Sequence, residues 1–195
     1  MSKPKVGEET VEAEVDKDAE LKCPCIRLQS ESQPIWEKRD QNGTYNRINN
    51  DSRFEISKDN KGSVMKIRKI TSKDSGKYQC IFYEDGEKTI HKITLKVVIF
   101  KSVEAKLGND VELKCDCGPP SSNPIWKKQA EDETYDSISD DLRFQITTNY
   151  EGCMMKILKF SLEDVGTYRC EVQHKDGKII IYETLLKETE LYDRS

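Results

Sequence analysis

Residues 74–80 read DSGKYQC, and residues 164–170 read DVGTYRC. An acid, a glycine, a tyrosine and a cysteine keep their spacing while the residues between them change. Working outward from this pair exposes a repeat. MKIRKI at 65–70 answers MKILKF at 155–160, and DSRFEI at 51–56 answers DLRFQI at 141–146. TYNRI at 44–48 answers TYDSI at 134–138, and PIWEK at 34–38 answers PIWKK at 124–128. All these pairs are separated by ninety positions. ELKCPC at 20–25 and ELKCDC at 112–117 stand ninety-two apart, so the second copy lacks two residues between its cysteine pair and its tryptophan. The chain is a tandem duplication of one unit. Its 195 residues divide naturally into two domains, expected at 1–98 and 99–195.

Within each copy the apolar period is two. Leu21, Cys23 and Cys25 fall on one face of a strand, as do Met65 and Ile67, and Tyr78, Cys80 and Phe82. QNG at 41–43, DNKG at 59–62 and EDGE at 84–87 punctuate the runs as turns. Short strands at this spacing, without helical periodicity, predict an all-β sandwich or barrel. TIHKITLKVV runs almost directly into FKSVEAKLGNDVELKC, so the joint is expected to be short and fairly stiff. Hydrophobic and charged residues each make up 35% of the chain, a balance that fits strands with one wetted face. Net charge is −4 with both signs interspersed, so no basic stripe marks a nucleic-acid partner. No apolar run is long enough to cross a bilayer. The opening MSKPKVGEETVE has no apolar core of a signal peptide, which fits either a cytosolic protein or a fragment of a secreted or anchored one.

Each copy carries a Cys, a Trp 13 or 11 residues later, and then Asp-x-Gly-x-Tyr-x-Cys. This constellation, twice in register over nearly the whole chain, resembles the immunoglobulin superfamily. The Cys-to-Cys spacings of 57 and 55 resemble intermediate (I-set) domains. The resemblance implies two tandem immunoglobulin-like β-sandwiches with Greek-key topology. It implies disulfides Cys23–Cys80 and Cys115–Cys170 between the sheets, with Trp36 and Trp126 packed on them. Tyr78 and Tyr168 would make tyrosine corners, and Arg53 and Arg143 would reach Asp74 and Asp164 at the same end of each sandwich.

Cys25, Cys117 and Cys153 remain. Cys153 shares the inward parity of Met155 and Ile157. In this fold the strand that carries Cys117 lies beside that of Cys153. The two are expected to face each other across the ladder, as a further disulfide or as two buried thiols. The first copy has Ser63 in place of Cys153, leaving Cys25 without such a partner; it is expected to be buried and inert, with an intermolecular bond as the alternative. A zinc site needs four convergent Cys or His ligands, and the fold itself claims most of the cysteines. No metal and no cofactor is expected. Two histidines, His91 and His174, no nucleophile motif and no phosphate-cradling loop leave no catalytic constellation, so no enzyme is expected.

A protein-binding module follows, and two kinds compete. One is the ectodomain fragment of a cell-surface adhesion or recognition receptor, membrane-attached only through segments absent from this chain. Its support is the oxidisable cysteine pairs and two N-glycosylation sequons, at Asn42 and Asn50. The other is an intracellular cytoskeletal or sarcomeric tandem, since RFQI and EGCMMKI resemble I-set domains of giant muscle proteins. Sialic-acid-binding members of the superfamily place an arginine just after the second cysteine; Ile81 and Glu171 stand there, so that function does not carry over. Strand parity turns Ile35, Ile81, Tyr83 and Ile90 outward on neighbouring strands of the first domain, where Glu171 and Gln173 stand in the second. These four are the expected partner-binding patch, for a homophilic or heterophilic protein partner.

Overall fold

The computed structural model describes residues 5–24, 33–59, 61–84, 86–118, 124–140, 142–149 and 152–189. The chain divides into two compact units, one built on residues up to Val98 and one on residues from Ile99.

In the first unit the strands are β1 (Lys5–Glu14), β2 (Ala19–Cys23), β3 (Ile35–Arg39), β4 (Tyr45–Arg47), β5 (Phe54–Asp59), β6 (Gly62–Ile67), β7 (Gly76–Glu84) and β8 (Glu87–Ala105), the last shared with the second unit. One sheet runs β2-β6-β5. The other runs β4-β3-β7-β8, with β1 added in parallel to β8. The antiparallel β3–β4 ladder follows from a short turn in which the Asp40 carboxylate accepts the amides of Asn42 and Thr44, both at 2.9 Å. Alternation does what period two requires: Leu21, Met65, Ile67, Ile93 and Leu95 turn inward and are fully buried. Each such side chain contributes roughly 1.5–3 kcal/mol on burial.

The second unit repeats the plan. Its strands are β9 (Val111–Cys115), β10 (Ile125–Gln129), β11 (Tyr135–Ser137), β12 (Phe144–Asn149), β13 (Gly152–Ile157), β14 (Gly166–Gln173) and β15 (Ile179–Glu188). One sheet is β12-β13-β9, and the other places β11-β10-β14-β15 in order. Leu113, Met155, Ile157, Tyr168 and Val172 fill the space between them. The helical elements described are two single 3₁₀ turns, at Ser72–Asp74 and Leu162–Asp164.

Both inter-sheet staples are present. Cys23 is bonded to Cys80 with Cα atoms 6.1 Å apart, and Cys115 to Cys170 at 6.5 Å. Trp36 and Trp126 are buried, each paired in the ladder with the second cysteine of its staple. Cys117 and Cys153 are bonded as well, with Cα atoms 5.8 Å apart. Their geometry differs from a face-to-face ladder pair. The β9–β13 ladder ends with Cys153 opposite Cys115, and Cys117 lies two residues past the end of β9. The bridge is therefore diagonal, made by chain that has already left the strand. Cys25 lies outside the described residues.

Candidate binding face

Each copy of Asp-x-Gly-x-Tyr-x-Cys builds the same corner. The Tyr78 hydroxyl donates to the carbonyl of Asp74 at 2.6 Å, and that of Tyr168 to the carbonyl of Asp164 at 2.7 Å. Burial pushes both phenols far above their usual value. The Asp74 carboxylate accepts from Arg53 at 2.8 Å and from the amide and hydroxyl of Thr71. Arg143 reaches Asp164 at 2.6 Å, with Ser161 in the place of Thr71. Burial opposes the charge on Asp74, but the Arg53 and Thr71 hydrogen bonds outweigh it and hold the carboxyl below its usual value. These groups satisfy one another and are architectural.

The outward face of β4-β3-β7-β8-β1 is different. Ladder partners share a face, so the register can be read across the sheet in rows. One row is Ile35–Ile81–Ile90–Val6. The next is Arg47–Glu37–Gln79–Lys92–Glu8. Tyr83, paired with Lys88, lies on the other side of the apolar row. Tyr83 is 53% exposed and Val6 52%, while Ile35 and Ile90 are half-buried. Ile81 is only 9% exposed, which corrects the expectation of an outward, accessible side chain. Its parity is outward, but it stands on the central strand with Ile35 on one side and Ile90 on the other. Side chains in the same row of a sheet cover one another. Gln79, in the charged row, is equally shielded and donates to Glu37 at 2.5 Å.

Val6 is a member of this row that sequence parity did not supply. The alternation in KVGEETVEAE was there to be read, but nothing local says that this segment pairs in parallel with β8. Gly7 is fitted to that pairing: it sits opposite His91, and a Cβ there would come within 2.7 Å of the buried imidazole. His91 in turn contacts Glu9 at 3.2 Å.

The second unit presents a contrast at the equivalent face. Ile125 pairs with Glu171 rather than with an isoleucine. Lys127 neutralises Glu171 at 3.6 Å, and Arg169 reaches Glu183 at 2.6 Å. Tyr135 donates to Glu183 at 3.2 Å, and the Arg169 guanidinium lies 4.0 Å from its ring centre. Gln173 is exposed. The charges here serve one another.

Of the two sequon asparagines, Asn42 is exposed on the β3–β4 turn, and Asn50 is exposed with its side-chain oxygen accepting the amide of Ile56 at 2.5 Å. Asp140 makes the same bond to Ile146 in the second copy at 2.9 Å, so Asn50 has a structural job that a carboxylate can do equally.

Two sandwiches, each stapled between sheets beneath a tryptophan and closed by a tyrosine corner, define a tandem of immunoglobulin-like domains. The Immunoglobulin I-set domain model matches residues 5–97 and again 98–181, and the chain belongs to this family. It is 28% identical over 167 residues, 78% of this chain, to the Titin homolog of Caenorhabditis elegans. It is 27% identical over 181 residues, 85% of this chain, to human Roundabout homolog 1. The chain spans 1% and 10% of the lengths of these two relatives. Among solved structures, the I-band fragment I67-I69 from titin is 21% identical with a TM-score of 0.41, over 95% of this chain and 64% of that one. I-set domains are typically non-enzymatic.

Proposed function

We propose that this chain is a non-enzymatic protein-recognition module, part of the ectodomain of a cell-surface adhesion or recognition receptor, and that the β3–β7–β8 face of its first domain makes the contact. The observation that carries this reading is the asymmetry between the two copies. The first lays Ile35, Ile81, Ile90 and Val6 in one row flanked by the exposed Tyr83, and the second interrupts that row with Glu171, ion-paired to Lys127, and has Gln173 in the place of Tyr83. Tyr offers a large apolar area with a polar tip, which suits an interface anchor. Three disulfides favour an oxidising compartment. In such a compartment Asn42 and Asn50 are acceptors for N-linked glycans, and Asn42, on an open turn, is the better one.

The test is binding of the chain, displayed multivalently on beads, to cells expressing a library of ectodomains. Tyr83→Ala should cost about 1–3 kcal/mol of binding, a roughly 5- to 150-fold weakening, with an unchanged melting temperature. Gln173→Ala should change little. Equal small effects at both positions would remove the first domain's face from consideration. Similarity to a titin homolog favours a second reading, an intracellular scaffold. There the same face would be idle and the cysteines reduced.

A further inference from the structure

The charged row of the first domain has an order that its neighbours do not explain. Across β4, β3, β7, β8 and β1 it reads Arg47 plus, Glu37 minus, Gln79 neutral, Lys92 plus and Glu8 minus. Reversed, every plus meets a minus: Arg47 meets Glu8, Glu37 meets Lys92, and Gln79 meets itself. Opposite charges at adjacent ladder positions could have closed ion pairs within the sheet. They do not: none of Arg47, Glu37, Lys92 and Glu8 has an ion-pair partner among the described residues, although ten pairs elsewhere fall within 4.0 Å or less.

A two-fold axis lying in an interface, parallel to the strands, performs this reversal. It turns one sheet over onto another and exchanges left for right across the strands while keeping each row level. An isologous contact has this property by definition, with residue i meeting j and j meeting i. With the axis over β7, the apolar row also maps onto itself: Ile81 faces Ile81, and Ile35 faces Ile90. Tyr83 then stands on the axis, against its own copy.

We propose that the partner of this face is a second copy of the chain, packed sheet on sheet about a two-fold axis along β7. This deepens the reading above and rests on it. The four interfacial ion pairs arise from two unique ones, Glu37 with Lys92 and Arg47 with Glu8. The second domain lacks the device, because Ser137, Lys127 and Arg169 in the corresponding row present no alternating order. One row further, Lys77 lies on β7 beside Thr94 and would face its own copy, a like-charge pair on the axis. A face only five strands wide, with this defect, gives a weak contact of roughly 10–100 µM, suited to clustered display rather than to a permanent dimer.

Sedimentation equilibrium of the full chain, its thiols alkylated so that no intermolecular disulfide can form, tests this directly. Reversible dimerisation is expected. Glu37→Lys and Lys92→Glu should each weaken it by at least about tenfold, because each places like charges across both symmetric contacts. Combining them restores opposite signs, and the double variant should return to within about threefold of the wild type. Arg47→Glu with Glu8→Arg, both at exposed positions, is an independent swap with the same expectation. Lys77→Ser should tighten the dimer. A chain that stays monomeric at 500 µM, as roughly fivefold or more above the expected constant, overturns the proposal. So does a dimer indifferent to Glu37→Lys, or a double variant no better than the singles. If the chain is monomeric yet its cell binding still depends on Tyr83, the face binds a different protein and the functional reading stands without this one. If dimer and cell binding both ignore the face, both fall.

Discussion

Asp74 shows how one carboxylate is made to hold a corner. It is buried to 4% side-chain exposure, accepts from Arg53 and twice from Thr71, and its backbone carbonyl receives the Tyr78 hydroxyl. Its folded pKa is lowered, so its contribution to stability is present above the unfolded value of about 3.9 and is lost as pH falls through the folded one. Removing Arg53 leaves a buried charge short of one donor. The guanidinium is 43% exposed and water takes part of its place, so Arg53→Ala should cost about 1–3 kcal/mol at neutral pH, below the cost of breaking a fully buried pair. The same variant should lose less stability than the wild type between pH 5 and pH 2, because the depressed pKa has relaxed toward its ordinary value. Urea titrations at several pH values measure both effects. Parallel pH profiles for variant and wild type would show that Arg53 does not set the state of Asp74.

At the scale of the element, the two copies solve one problem differently. In the first, the Trp36 indole donates to Ser63 at 3.0 Å, and the Ser63 hydroxyl donates onward to the Ser57 carbonyl at 3.1 Å. In the second, Cys153 occupies that place and is spent on Cys117, and the buried indole nitrogen of Trp126 has no acceptor among the described residues. A buried donor without a partner costs roughly 1–3 kcal/mol, which the extra disulfide offsets. Ser63→Ala reproduces the orphaned indole without the compensation. It should lower the first unit's stability by that amount, read as a shift in its denaturation midpoint, and a neutral result would mean that Trp36 finds water. The repeat and the two-residue period made the sandwich legible because core-facing positions must alternate. What the period leaves out is who stands beside whom. Ile81 has outward parity and yet is shielded, since exposure depends on Ile35 and Ile90 in neighbouring strands. The ladder partner of Cys153 is Cys115 rather than Cys117 because strand ends are set by pairing. The parallel docking of β1, which brings Val6 and Glu8 to the face, is a long-range choice with no local signature.

For the whole molecule, the question is which compartment its stability requires. The first unit has one bridge, closing 57 residues, and the second has two, closing 55 and 36. On the chain-entropy account a single bridge of the larger size is worth about 4 kcal/mol. The Cys117–Cys153 bridge lies inside the loop already closed by Cys115–Cys170, so it removes less further freedom, about 3 kcal/mol. Reduction should therefore cost the second unit about 7 kcal/mol against about 4 for the first, and domain stabilities run to only 5–15 kcal/mol. Each unit has one tryptophan, so Trp36→Phe leaves fluorescence reporting on the second alone, and Trp126→Phe on the first. Urea unfolding with and without reductant should show the second unit's midpoint falling further. A chain with this dependence is poorly suited to a reducing cytosol. The companion measurement is a thiol count in denaturant without reductant. The three bridges use six of these seven cysteines, so alkylation mapping of the seven in protein from its native source should find one free thiol among them if it works outside the cell. Seven thiols, together with equal midpoint shifts in the two units, would make the scaffold reading the better one and leave the face on β3, β7 and β8 without an adhesive role.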